Sequence, residues 1–119
     1  MKNILFVCNV NLQRSPTGEE IVNSEEEFQD YDSKSVGISP LAEKQINENA
    51  IKWADIVFCM EEFQKQFILK NFQEIIEDKN KNTNFKIINL EIPDKYYRND
   101  PELKKMIRNR IKKYLNEKK

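Results

Sequence analysis

A cysteine, an arginine and a serine placed close together near the amino terminus could carry out chemistry on a dianion. Cys8 follows the apolar run Ile4-Leu5-Phe6-Val7, and Arg14, Ser15 and Pro16 come after a five-residue gap. An unbroken apolar run of this length is the pattern of a strand buried on both faces of a parallel sheet. Ser followed by Pro is the order of a helix N-cap and the first helical position, so a helix is expected to begin at Ser15. Strand, short loop and helix start would gather the backbone N–H groups of Asn9, Val10, Leu12 and Gln13 around the Cys8 sulfur. The positive end of a helix dipole would point at the same place. Such a cradle suits phosphate or another oxyanion. With a thiol at its base and a guanidinium at its rim, it is suited to reacting with a phosphoryl group as well as holding one.

Each side chain has a role that fits its type. Amides at a helix N-terminus and a nearby cation favour thiolate over thiol, and the thiolate is the nucleophile. The planar fork of Arg14 matches two equatorial phosphoryl oxygens. Ser15 can donate its hydroxyl to the sulfur, and the Asn11 side chain can tie down loop backbone. The chain contains no histidine. That excludes Cys/His dyads, Ser/His/Asp triads and His-based metal sites, so any activation of Cys8 must come from the loop itself.

The elements that must position this loop follow from patterning. The 119 residues suit one domain, spanning 1–119, with its own core. Helix is expected from Pro16 to about Phe28, with Ile21, Val22 and Phe28 inward and Glu25 to Glu27 in water. A second strand is expected at Tyr31 to Val36, ending at Gly37. Leu41 to Lys52 reads as a helix resting on Leu41, Ile46 and Ala50. The run Ile56 to Met60 reads as a third buried strand, with Cys59 as core packing. Glu61 to about Ile76 reads as a third helix, Glu77 to Asn84 as a polar loop, and Phe85 to Leu90 as a fourth strand. A last helix from Pro101 is expected to bury Leu103, Met106, Ile107, Ile111, Tyr114 and Leu115. Alternating strands and helices imply an α/β fold, a doubly wound four-stranded parallel sheet in the order 2-1-3-4, with helices on both faces. Ligands of such sheets bind beyond the carboxyl ends of the strands, where both Cys8 and Asp94 fall.

Twenty basic and twenty acidic residues cancel, so no global charge points to nucleic acid. Lys104 to Lys119 is nonetheless locally basic, either as a solvated helix face or as a docking surface for an anionic partner. Two cysteines, no signal peptide and no long apolar run lead to the expectation of a soluble cytoplasmic protein that does not enter a membrane.

Cys8-x5-Arg14-Ser15-Pro16 after a first strand resembles the low-molecular-weight protein tyrosine phosphatases. Ser35-Val36-Gly37 is similar to that family's Ser-Ala-Gly, and Ala54 to Glu61 to its third strand with a Met-Asp end. Ile92-Pro93-Asp94-Lys95-Tyr96-Tyr97 is similar to its Asp-Pro-Tyr-Tyr. Asp100-Pro101-Glu102-Leu103 resembles the corresponding stretch of a short bacterial branch. There are departures: Val10 stands where the family has glycine, Gln13 where many members have a second cysteine, and Lys95 where proline follows the acid. The segment between Gly37 and Ala54 is also shorter than in full-length members.

The resemblance implies a protein tyrosine phosphatase that works through a phosphocysteine intermediate, with Cys8, Arg14 and Asp94 catalytic and Asn11 and Ser15 supporting the loop. It implies no metal or organic cofactor. Asp94 would protonate the leaving aryloxide and later accept a proton from water. Asp100 is better explained as the N-cap of the last helix. Tyr96 and Tyr97 could form an aromatic wall for the substrate, a phosphorylated protein or small aryl phosphate. Leu12, at the loop position facing substrate in that family, suits an aromatic ring better than a guanidinium. The alternatives are an arsenate reductase-like enzyme, a phosphocarrier, and a phosphate-binding module of the same fold without turnover.

Overall fold

The computed structural model describes residues 2–115. Strand β1 (Lys2–Cys8) lies second in a four-stranded parallel sheet ordered β2-β1-β3-β4, with β2 at Tyr31–Gly37, β3 at Ile56–Cys59 and β4 at Lys86–Asn89. Ile4 to Val7 are fully buried, as expected of a strand covered on both faces. Because successive side chains of a strand point to opposite faces, β1 divides its residues between two layers. Ile4, Phe6 and Cys8 join one cluster with α1 (Arg14–Ser24) and α5 (Pro101–Leu115). Leu5 and Val7 join the other, with α2 (Glu48–Trp53), α3 (Glu62–Asn71) and α4 (Gln73–Asn82). Cys59 is buried in that second layer, so the two sulfurs lie on opposite faces of the sheet.

The helices depart from expectation in five places. Helix α1 starts at Arg14, and its N-cap is Gln13 with no side-chain capping bond; the Ser15 hydroxyl that would have capped it is used on Cys8. The same helix ends at Ser24 and gives way to a 3₁₀ turn at Glu26–Phe28. The expected helix from Leu41 survives only as α2, because Gln45 bridges to Gly37 as an extension of the sheet edge. There Ile46 N–H donates to Gly37 O at 2.8 Å, and Asn47 then caps the helix by accepting from Ala50 N–H. Leu41 stays exposed. The long helix from Glu61 breaks at Phe72 (φ −130°, ψ 34°). The polar stretch after Ile76 continues as helix α4 as far as Asn82. A straight helix over the same stretch would run about 30 Å, past the end of short strands, whereas the bend lets α4 bury Ile76 in the second layer. Glycine in α1 also has a reason: a Cβ at Gly18 would lie 2.7 Å from the Phe6 ring, so the helix backbone rests directly on that ring.

Glu25 is not free in water, and three of the basic residues of the last helix, Arg108, Arg110 and Lys112, are engaged within the fold. Arg108 donates Nε and Nη2 to the two carboxylate oxygens of Glu25 at 2.8 and 2.7 Å. Lys112 pairs with Glu27 at 2.9 Å. Arg110 donates to the carbonyls of Leu90 and Glu91. Residues 116–119 of the basic stretch lie outside the described residues. Among the described residues no helix is long and apolar enough to cross a membrane.

The hydrogen bonds from Arg108 hold the Glu25 carboxyl below its usual range. A carboxyl with a depressed native pKa contributes stability above its unfolded value and loses it as pH falls through the native one. Glu25→Gln is therefore expected to cost about 0.5–1 kcal/mol at pH 7 in urea unfolding. The difference from the parent protein should shrink as pH drops through and below the ordinary carboxylate range. A difference independent of pH would show that the pair does not act through its charge.

Candidate active site

The loop from Asn9 to Gln13 has to reverse direction between the end of β1 and the start of α1. It does so at Asn11, whose φ is 59°, a left-handed conformation that asparagine tolerates better than most residues. Val10 has no positive φ, so valine in place of the family's glycine brings no backbone strain there. The reversal carries Ser15 Oγ to 2.9 Å from Cys8 Sγ, and Asn11 N–H donates to the same sulfur at 3.2 Å.

A chain of hydrogen bonds reaches this sulfur from the sheet edge. The Glu19 carboxylate can only accept, so it takes the Ser35 hydroxyl proton. Ser35 Oγ in turn accepts from Asn11 Nδ2 at 3.0 Å, and the same amide donates to Ser15 Oγ at 3.0 Å. Ser15 Oγ accepts from Asn11 and has its own proton to offer to Cys8 Sγ at 2.9 Å or to Val36 O at 3.4 Å. The sulfur is thus in contact with the Asn11 N–H and the Ser15 hydroxyl. Lys44 Nζ lies 3.3 Å from Glu19 and balances the outer end of the chain.

Gly37 allows the sheet edge to approach this closely. A Cβ there would stand 2.6 Å from Asn9 O and 2.9 Å from Asn11 N. Loop carbonyls are also engaged: Ser39 N–H donates to Asn9 O at 2.9 Å and Glu43 N–H to Val10 O at 3.4 Å. A cavity of about 540 Å³ opens beside the loop, with Asn11, Glu19, Ser35 and Arg98 among its lining; Cys8 and Arg14 are not part of that lining.

Arg14 is buried, its side chain 3% exposed. An unpaired buried guanidinium would cost several kcal/mol, and Glu61 supplies the counter-charge at 2.8 Å from Nη1. The same Nη1 donates to Ile92 O at 2.7 Å. Asp94 Oδ1 stands 3.8 Å from Nε, with its carboxyl largely exposed. The structure therefore joins Cys8, Asn11 and Ser15 in one hydrogen-bonded group and sets Asp94 beside Arg14 in a second, with Glu61.

The segment carrying Asp94 is itself pinned. Glu91 adopts φ 56°, a conformation with a cost of about 1 kcal/mol or more outside glycine. This turn lets Ile92 N–H reach Met60 O at 2.8 Å, past the end of β4. Farther on, Arg98 N–H donates to Gln13 Oε1 and Asn99 N–H to Thr17 Oγ1 at 2.9 Å. Asp100 accepts from Glu102 N–H at 2.8 Å, the helix-capping role expected of it. Tyr96 differs from the expected substrate wall: it is 9% exposed and packed into the cluster under α5. Its neighbour Tyr97 is 79% exposed and free to face a ligand.

Glu19, Ser35 and Glu61 were not among the expected site residues. Glu61 had a readable signal: it directly follows a buried strand adjacent to β1, which places it on the same edge as Cys8. Glu19 had none, since its role depends on the distance between α1 and β2.

No family model and no curated protein matches this chain. Solved structures do. YwlE arginine phosphatase from Geobacillus stearothermophilus superimposes with a TM-score of 0.67 at 21% identity, over 97% of this chain and 93% of that one. The low molecular weight protein tyrosine phosphatase SP-PTP from Streptococcus pyogenes gives 0.66 at 21%, over 97% and 91%. Vibrio vulnificus Wzb, solved with benzylphosphonate, gives 0.71 at 16%, over 95% and 96%. The fold is that of the low-molecular-weight protein tyrosine phosphatases, with Cys8 at the end of its first strand.

The two cysteines should behave differently. Cys59 is fully buried and burial pushes its thiol up to about 12, so it stays protonated and unreactive. Iodoacetate at neutral pH followed by peptide mass mapping is expected to modify Cys8 at least about tenfold faster than Cys59. Comparable rates in the folded protein would contradict the environment described for Cys8.

Proposed function

We propose that this protein is a cysteine-dependent phosphomonoesterase acting on phosphotyrosine. The observation that carries the reading is Cys8 Sγ, held between the Ser15 hydroxyl and the Asn11 amide at the base of the loop that leads into Arg14. The shared fold supports it, since the structural neighbours are named phosphatases. In the first step the Cys8 thiolate attacks phosphorus, forming an S–P bond as the P–O bond to the aryl group breaks. Asp94 gives its proton to the departing aryloxide. Water then attacks the phosphocysteine and passes a proton to the Asp94 carboxylate, releasing phosphate and the thiolate. The loop N–H groups of Asn9, Val10, Leu12 and Gln13, with Arg14, would stabilise the charge on the equatorial oxygens. Leu12 and Tyr97, both exposed, suit an aromatic ring. One neighbour is named an arginine phosphatase, so phosphoarginine is the competing substrate for the same chemistry.

A second reading, a phosphate-binding module without turnover, is favoured by two observations. Arg14 Nη1 is already shared between Glu61 and Ile92 O, and Cys8 is only 3% exposed. An arsenate reductase-like reaction has no such support, because its disulfide relay needs a second thiol within reach and Cys59 faces the other side of the sheet.

Turnover of p-nitrophenyl phosphate decides between the two. The esterase reading expects hydrolysis that vanadate inhibits and Cys8→Ser abolishes. Asp94→Asn should lower kcat by about 10²–10⁴-fold. Asp100→Asn should leave kcat near the parent value, with a stability cost of about 1 kcal/mol at most, since asparagine also caps helices. Phosphate binding with no hydrolysis would establish the binding module. A silent Asp94→Asn with an inactive Asp100→Asn would reassign the acid.

A further inference from the structure

The cavity beside the loop has features that the phosphatase reading does not use. Its most deeply buried lining residues are Asn11 and Ser35, each 1% exposed. Ser35 gives its hydroxyl proton to Glu19, so Asn11 must meet Ser35 Oγ through the amide nitrogen, which also donates to Ser15 Oγ. That leaves Asn11 Oδ1 buried, with no hydrogen-bond partner among the described residues. An unpaired buried acceptor is costly, and it marks the place of a donor that the chain does not itself supply. The groups around it also call for donors. The cavity follows the outer edge of β2 between two capped positions. The Asn23 side chain accepts from Ser33 N–H at 3.0 Å and donates to Ser33 O at 3.1 Å, while Lys44 O and Ile46 N–H engage Gly37 at 2.8 Å each. Ser35, two residues from each, turns its peptide to the same edge, and its carbonyl is a further acceptor. The exposed carboxylates of Glu20 and Glu43 stand at the rim. With Glu19 they make three carboxylates against two cations, Lys44 and Arg98, and Lys44 is already engaged with Glu19 at 3.3 Å.

We infer that this cavity is a binding site for a small aliphatic diamine. One ammonium donates to Asn11 Oδ1 and the Ser35 carbonyl, and the other meets the rim carboxylates Glu20 and Glu43. An ammonium has three donors and no acceptor, which matches a floor of unpaired acceptors below a rim of negative charge. The volume of about 540 Å³ lies in the range of small-molecule sites. It far exceeds the roughly 30 Å³ share of one water. A phosphate or carboxylate ligand would set acceptors against acceptors. A metal ion is disfavoured because, among the described residues, no group of three carboxylate or thiol side chains is placed to hold one. Neither Cys8 nor Arg14 lines the cavity, so the inference stands apart from the esterase reading. Asn11 alone is shared between the two sites, and its side-chain amide therefore reports on occupancy.

The test titrates the ¹⁵N-labelled protein with 1,4-diaminobutane and, separately, with 1,4-bis(trimethylammonio)butane at matched ionic strength. The second compound has the same charge and carbon chain but no N–H donor. The diamine should shift the Asn11 side-chain amide resonances saturably and bind about tenfold more tightly than the quaternary compound. Added salt should weaken it, because part of the attraction lies at the exposed rim. Glu20→Gln combined with Glu43→Gln, both at exposed positions, should weaken the diamine about fivefold or more while leaving kcat/KM for p-nitrophenyl phosphate at the parent value. Equal affinity for the two compounds would reduce the effect to general charge attraction and overturn the site. An Asn11 amide that does not respond, as expected if water alone satisfies Oδ1, overturns it too, as does indifference to the double substitution. Diamine binding in a protein that hydrolyses no phosphate ester keeps this site and removes the esterase, whereas hydrolysis without diamine binding does the reverse.

Discussion

The structure turns on the reversal at Asn11, which brings the first turn of α1 back over the end of β1. The turn requires a left-handed residue, and the one present has an amide that reaches two hydroxyls at once. That amide joins Glu19 and Ser35 on one side to Ser15 and Cys8 on the other in one hydrogen-bonded chain. The Asn11 amide donates both ways, through Ser35 toward the Glu19 carboxylate on one side and to Ser15 Oγ beside the sulfur on the other. Helix, sheet edge and nucleophile candidate are thereby held in one register. A change at Ser35 or Gly37 would reach the sulfur without touching it.

Arg14 organises the other half of the site. Its guanidinium is nearly inaccessible to water and so has to be satisfied inside the protein. Glu61 from the end of β3 and the Ile92 carbonyl from beyond β4 meet at the same nitrogen, and Asp94 comes to the neighbouring one. The left-handed turn at Glu91 and the bonds from Arg98 and Asn99 to α1 keep this segment from drifting. The segments that follow β1, β3 and β4 thus converge on one buried cation. This explains how an aspartate eighty residues downstream in the chain comes to stand beside the loop.

The sheet and its order were legible because buried parallel strands are written as short apolar runs, and Ile4 to Val7 and Ile56 to Cys59 have no other economical reading. Helix boundaries were not. The stretch from Leu41 looked helical, yet sheet-edge hydrogen bonds to Gly37 captured it, and Asn47 restarted the helix late. The aromatic periodicity after Glu61 suggested one straight helix, but its packing surface ends near Phe72. The polar run after Ile76 lacked apolar signal, while its lysines and asparagines proved compatible with a last few turns of helix. In each case a long-range contact outweighed local pattern.

For the candidate site, the residues near the amino terminus declared themselves. A thiol, a guanidinium and a Ser-Pro step between a buried strand and a helix leave few arrangements, since chain connectivity alone brings them together. Asp94 and Asp100 were separable for a similar reason, because Asp-Pro before an apolar stripe is a helix start. The sequence could not reveal that Ser15 serves the sulfur in place of the helix, that Tyr96 is core, or that Glu19 and Glu61 complete the site. Those outcomes depend on distances between α1, β2 and β3, and such distances exist only once the sheet has assembled and its two apolar layers have closed.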